Sequence, residues 1–167
     1  MEIHMFFSFY DIAQEFIRNP VLENGFKVDI RIFMVTHCNY GNFIYNEGYL
    51  YFTTKRFNYN SQDPEKKINM TKPPENHYEQ NNLSKLFSSF CNKHSYNKSS
   101  ILKKLSNQLR YIINSTKSLW NFNDTDKYHI YGIDIELVDN LNPIIIEINS
   151  NPALKFNKIK WKRNFIN

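Results

Sequence analysis

Two cysteines in 167 residues, Cys38 and Cys91, are too few and too far apart in sequence to form a disulfide framework or a cysteine-based zinc site. A reducing, cytosolic setting is the default for such a chain. No apolar run approaches the length of a membrane span. The short apolar stretch from Met5 to Tyr10 lacks a basic leader and a small-residue cleavage site, so it reads as strand and not as signal peptide. Also missing is any motif of a known DNA- or RNA-binding module, which argues against the nucleic-acid partner that a net charge of +5 would otherwise suggest. The basic residues lie around Lys55, Arg56, Tyr59 and Lys66, and in a closing run of Lys155, Lys158, Lys160, Lys162 and Arg163 with Trp161 among them. The same charge suits an acidic protein partner, or a merely solvated lysine surface. Hydrophobic residues at 41% and aromatics at 16% are enough for one domain with a moderate core. The mean hydropathy of −0.58 reflects abundant asparagine and lysine.

The most informative pattern is near the C-terminal end. From Ile130 to Leu137 the residues alternate, placing Tyr131, Ile133, Ile135 and Leu137 on one face and Gly132, Asp134 and Glu136 on the other. Asp139, Asn140, Asn142 and Pro143 supply turn chemistry. Ile144, Ile146 and Ile148 then form an apolar face opposite Ile145, Glu147 and Asn149, so the pair reads as a hairpin. A loop centred on Asn140-Leu141 gives partners whose numbers sum to 281 and sets Asp134 across from Glu147. Like charges so placed repel. An ordinary edge hairpin leaves them to solvent, and pattern alone favours that reading. A Mg²⁺ ion would instead remove the conflict, since it takes oxygen ligands, one or two of them carboxylates, with Asn149 adding a neutral oxygen.

Upstream, Asn19-Pro20 and Asn24-Gly25 mark a loop before a strand predicted over Phe26 to Thr36. In it Lys27, Asp29 and Arg31 share one face, with Val28, Ile30, Ile32 and Met34 on the other; the charged row is either a surface ladder or part of a site. His37 to Asn42 reads as a turn, and Phe43 to Tyr45 and Tyr49 to Thr54 as two further strands. Asn58 to Tyr78 is polar, carries Pro64, Pro73 and Pro74, and reads as a long flexible loop. Ile101, Leu102, Leu105, Leu109, Ile112 and Ile113 recur at helical spacing after Ser99 and Ser100, which can cap; their stripe is core. His77, His94 and His129 are scattered and do not suggest a ligand set.

Tyr131-Gly132-Ile133-Asp134 followed by Glu147-Ile148-Asn149-Ser150-Asn151-Pro152-Ala153-Leu154 resembles the C-terminal metal-binding signature of the tubulin tyrosine ligase-like family. A second block agrees: Ala13-Gln14-Glu15-Phe16-Ile17-Arg18-Asn19-Pro20-Val21-Leu22 and then Lys27-Val28-Asp29-Ile30-Arg31 is similar to that family's adenine hinge and following strand. The match runs from about Asp11 to Leu154, loosely in the middle. The resemblance implies an α+β fold, the C-terminal portion of an ATP-grasp domain, largely antiparallel sheet with packed amphipathic helices. It makes residues 1–167 a single partial domain, with a flexible loop at 58–78 and a basic tail at 155–167.

The family joins an amino acid to a protein carboxylate with ATP and Mg²⁺, through an acyl-phosphate. Mapped onto matching positions, Asp134, Glu147 and Asn149 would hold the metal, and Gln14, Glu15, Phe16 and Ile17 would frame the adenine. Lys27, Asp29 and Thr71 would complete the cofactor side, and Arg31 would face the transferred phosphoryl group or incoming acid. The implied partners are tubulin, through its acidic C-terminal tails, or microtubules, and a free amino acid, glutamate before tyrosine or glycine; the implied location is cytoplasmic and microtubule-associated, with neither membrane nor nucleic acid as partner. The chain departs from the family pattern where Tyr51 stands in place of an arginine, and in Asn69-Met70-Thr71-Lys72-Pro73-Pro74, where only Thr71 is kept of the amino-acid-pocket motif. It also opens at the adenine hinge, which reads as a fragment of the catalytic region. These departures leave two other readings: a non-catalytic tubulin-binding pseudo-enzyme and, third, a basic nucleic-acid-binding protein.

Overall fold

A computed structural model describes residues 14–68, 76–116 and 128–153. The order of elements is β1 (Leu22–Glu23), β2 (Phe26–His37), β3 (Gly41–Phe52), α1 (His77–Gln80), α2 (Phe87–Lys93), α3 (Lys98–Thr116), β4 (Tyr128–Val138) and β5 (Asn142–Asn149). All strand pairings are antiparallel. β2 is central, with β3 on one side and β4 on the other, and β5 extends the sheet beyond β4. The fold is therefore mixed α and β on an antiparallel sheet, as expected.

The alternation read in β2 and β4 decides which face is core. Val28, Ile30, Ile32 and Met34 are buried together with Leu50 and Phe52 of β3 and Ile133, Ile135 and Leu137 of β4. Ile101, Leu105 and Leu109 of α3 and Phe87, Phe90 and Cys91 of α2 cover that face. Each such aliphatic side chain contributes about 1.5–3 kcal/mol on burial. Among the described residues no helix is long and apolar enough to cross a membrane.

Several local details differ from expectation. The two strands foreseen at Phe43–Tyr45 and Tyr49–Thr54 are one strand, β3. It is kept continuous by an irregularity in which pairing steps from Ile32↔Gly48 to Met34↔Ile44. Gly48 is required there, because a Cβ would lie 2.9 Å from the Arg31 carbonyl oxygen. Asn97, not Ser99 or Ser100, caps α3: its side-chain oxygen accepts from the Ser100 amide at 2.9 Å. The seven-residue helix α2 has no counterpart in the sequence reading. Within 58–78 the described residues form a short 3-10 turn at Pro64–Lys66 and enter α1. Asn24 and Gly25 both have positive φ, 51° and 84°, as a two-residue hairpin turn of the primed type demands, and they join β1 to β2.

Buried Glu23 anchors β1 to the helices. Its carboxylate accepts from the Ser84 amide and hydroxyl, each at 2.8 Å, and pairs with Lys93 Nζ at 2.8 Å.

Candidate functional site

The face of the sheet away from the helices carries a row of charge. Register alone assembles it: β2 meets β4 with Asp29 opposite Glu136 and Arg31 opposite Asp134, and β4 meets β5 with Asp134 opposite Glu147 and Gly132 opposite Asn149. Arg31, Asp134 and Glu147 thus lie side by side on three adjacent strands. The Arg31 guanidinium grips Asp134 with two hydrogen bonds, Nε to Oδ1 and Nη2 to Oδ2, the latter 2.6 Å. The Asn149 amide nitrogen donates to Asp134 Oδ2 at 3.3 Å. The hydrogen bonds that Arg31 donates to Asp134, followed by the charges of Asp134 and Glu147, hold its guanidinium still more firmly protonated, against the opposing effect of burial.

The predicted pairing of Asp134 with Glu147 is present, but by a different route. The loop is three residues, Asp139–Leu141, so partner numbers sum to 280 beside it. A β-bulge between Asp134 and Ile135 then adds one residue on β5, Ile146, and restores 281 at the carboxylates. The 280 register beside the loop places Ile145 opposite Ile135, toward the core, and leaves Ile144 37% exposed, so the apolar face of β5 is not the simple 144, 146, 148 series. The loop is pinned to α3 by Lys104 Nζ on the Asn140 carbonyl at 2.9 Å and by Gln108 on the Pro143 carbonyl at 2.8 Å.

Next along the row, Lys27 and Glu136 are both buried and paired at 2.5 Å, with Asp29 3.4 Å from the same ammonium. Burial pushes the Asp29 carboxyl up to about 7, with Lys27 pulling it down and Glu136 pushing it up. Asp29 Oδ1 and Glu136 Oε2 are buried acceptors without a hydrogen bond among the described residues. Because folded Asp29 keeps a proton that the unfolded chain releases above the ordinary carboxyl value of 3.8, stability should fall as pH rises from about 4 to about 7. Denaturant titration of Asp29→Asn across that range is expected to give a flatter profile than wild type.

Phe16 closes the Lys27 end. Its ring stacks on Phe57 with centroids 6.4 Å apart, tilts against Tyr59 at 5.9 Å, and has Lys27 Nζ 5.3 Å from its centre. Of the predicted hinge, Phe16 therefore joins the row, Ile17 is half-buried, and Gln14 and Glu15 are exposed. Thr71 and the whole of Asn69–Pro74 lie outside the described residues. Tyr51 is paired with Asp29 across β2 and β3, so the position where the family pattern has arginine does face the row. Burial raises the Tyr51 phenol, which Arg31 partly offsets.

Gly132 is what lets Arg31 lie flat against β4. A Cβ at that position would stand 2.8 Å from Pro152 Cβ and 3.2 Å from both Cδ and Nη1 of Arg31. Gly132→Ala is expected to displace Arg31 from Asp134 and to lower the melting temperature by several degrees, roughly 1–2 kcal/mol, measurable by calorimetry.

Glu136, Phe57 and Tyr59 were missed by sequence reasoning. The parity that picked Asp134 also put Glu136 on its face, and the three-membered Lys27-Asp29-Arg31 row needed acids two residues apart on a neighbour. That signal was available. The scattered histidines have structural surroundings: His77 is buried edge-on against Phe26, and His129 contacts the Ser150 carbonyl at 2.5 Å.

Among the described residues no group of three or more His, Cys, Asp and Glu could hold a metal ion by itself. Two facing carboxylates with one amide nevertheless match the donor set of a hard cation that draws its other ligands from phosphate and water. Both Asp134 oxygens accept from Arg31.

A model of the tubulin-tyrosine ligase family matches residues 10–166. The chain belongs to that family. It is similar to a "Probable tubulin polyglutamylase ttll-9" of Caenorhabditis elegans, with 30% identity over 86% of this chain and 37% of that protein. It is similar also to a "Probable tubulin polyglutamylase TTLL9" of Bos taurus, at 25% over 86% of this chain and 33% of that protein. With "Tubulin polyglutamylase TTLL6" of Homo sapiens the identity is 28%, over 85% of this chain and 19% of that protein. The chain thus spans little more than a third, or less, of the curated relatives it matches.

Proposed function

We propose that this member of the tubulin-tyrosine ligase family carries the metal-holding part of an ATP-grasp site and serves an ATP-dependent ligation of an amino acid, glutamate first, to tubulin. The observation that carries the reading is the three-strand juxtaposition of Arg31, Asp134 and Glu147, with Asn149 bonded to Asp134. The names of the relatives support tubulin as acceptor and glutamate as the group added.

In this reading Asp134, Glu147 and Asn149 would hold Mg²⁺, which when bound supplies charge neutralisation for the nucleotide phosphates. Arg31, beside them on β2, would offer its fork to phosphate or carboxylate oxygens where charge develops in the reaction. Phe16, above Lys27, would offer an apolar surface to the adenine. Lys27, already balanced by Glu136, would orient the nucleotide more than neutralise it.

Incubation of the chain with tubulin, Mg²⁺-ATP and glutamate should add glutamate to tubulin tail peptides, read by mass spectrometry. A second reading has one specific observation behind it: Tyr51 faces the row where the family pattern has a guanidinium, and a phenol cannot replace that fork. A non-catalytic tubulin-binding protein would leave tubulin unmodified and would co-sediment with microtubules in a salt-sensitive, ATP-indifferent way.

A further inference from the structure

Of the acids in the charged row, Glu136 alone is buried, with 7% of its side chain exposed against 24% for Asp29 and 18% for Asp134. Among the described residues its single hydrogen bond is the one that Oε1 accepts from Lys27 Nζ at 2.5 Å, and Oε2 is buried without a partner. Asp29, the register partner of Glu136, lies 3.4 Å from the same ammonium. The Phe16 ring covers it, with its centre 5.3 Å from Nζ. One two-residue step farther along the same two strands, about 6.8 Å, stand Arg31 and Asp134. The row therefore runs from Phe16, through the Lys27–Glu136 pair, to Arg31, Asp134 and Glu147.

We propose that Glu136 is a positioning residue for Lys27, fixing the ammonium beside the nucleoside part of a bound nucleotide and cancelling its pull on the phosphates. The inference rests on the nucleotide reading of the row. With its base on Phe16 and its phosphates at Arg31 and Asp134, a nucleotide passes its sugar and first phosphate over the Lys27–Glu136 pair. A buried ion pair loses to desolvation much of what its attraction returns, so stability alone is a poor reason for one at this place. Alone, Lys27 would draw the nearest phosphate strongly, because a unit charge in a partly buried setting is less screened than in water. Paired with Glu136 it acts as a short dipole, whose field falls off faster with distance. Phosphate recognition is thereby left to Arg31 and the metal-holding acids.

The test is calorimetric titration of the full chain with adenosine and with AMP, in EDTA so that the metal is left out. Glu136→Gln keeps the shape and removes the charge, so the ratio of AMP to adenosine affinity should rise about tenfold. The Lys27→Gln, Glu136→Gln double variant removes both charges and should return the ratio to the wild-type value. It leaves no cation unpaired, so it carries the test even where the single variant does not fold. A purely structural pair would weaken both ligands alike in Glu136→Gln. An unmoved ratio in that variant, a double variant whose ratio departs several-fold from wild type, or a wild type that binds Mg²⁺-ATP but neither adenosine nor AMP would each overturn the proposal. A wild type that binds neither Mg²⁺-ATP nor adenosine overturns the nucleotide reading, and this inference with it.

Discussion

Glu147→Gln is expected to weaken Mg²⁺-ATP binding by roughly a hundredfold, about 2.7 kcal/mol, without destabilising the metal-free protein. The two effects separate because Glu147 faces Asp134 directly across the β4–β5 pair and makes no hydrogen bond to it. Without a cation the facing carboxylates repel, so neutralising one should stabilise the fold by about 0.5 kcal/mol. Asp134→Ala differs in sign. It removes the acceptor for both Arg31 hydrogen bonds and the Asn149 amide, in a partly buried setting. A loss of about 1.5–3 kcal/mol in denaturant titration is expected, along with the loss of Mg²⁺-ATP binding. A metal pair of merely solvated acids would show neither the stabilisation in the first variant nor the nucleotide loss in both.

The other large effect lies far from the site. Glu23→Ala should cost about 3 kcal/mol or more, a substantial fraction of a small domain's stability. Glu23 is fully buried, and its truncation leaves the Ser84 amide and hydroxyl without their acceptor and Lys93 with only the Asn82 carbonyl. Glu23→Gln keeps one acceptor for Ser84 and loses the charge. Because Lys93 is about a third exposed and can turn to water, that variant should lose only about 1–2 kcal/mol. Urea midpoints of the two variants give the comparison directly, and equal losses would mean that charge, not hydrogen bonding, dominates at Glu23.

Much of the sheet was legible because strand parity is a strong local signal. The buried set Val28, Ile30, Ile32, Met34 and the buried set Ile133, Ile135, Leu137 follow from alternation alone. The Asp134–Glu147 pairing was reached from a loop geometry that the structure does not have; a three-residue loop and the Ile146 bulge offset each other. Nothing local in five isoleucine-rich residues marks which of them will bulge. Glu23 was illegible for a different reason, since it finds its partner 61 residues away through tertiary packing. Helix α2 has only seven residues, of which Phe87, Phe90 and Cys91 are buried, too short a stripe to stand out from the polar segment around it. The metal trio and Arg31 stood out for their family pattern, while the shelf of Phe57 and Tyr59 under Phe16 was hidden in residues that read equally as a basic-aromatic surface.

In the proposed site Asp134 and Glu147 accept a divalent cation together with ATP. Calorimetric titration of the chain with ATP, once with excess Mg²⁺ and once with EDTA, tests it most directly. ATP affinity that depends on Mg²⁺ in the wild type and loses that dependence in Glu147→Gln is the predicted result. Equal affinity with and without Mg²⁺, or a Glu147→Gln variant that binds Mg²⁺-ATP as tightly as wild type, would contradict it.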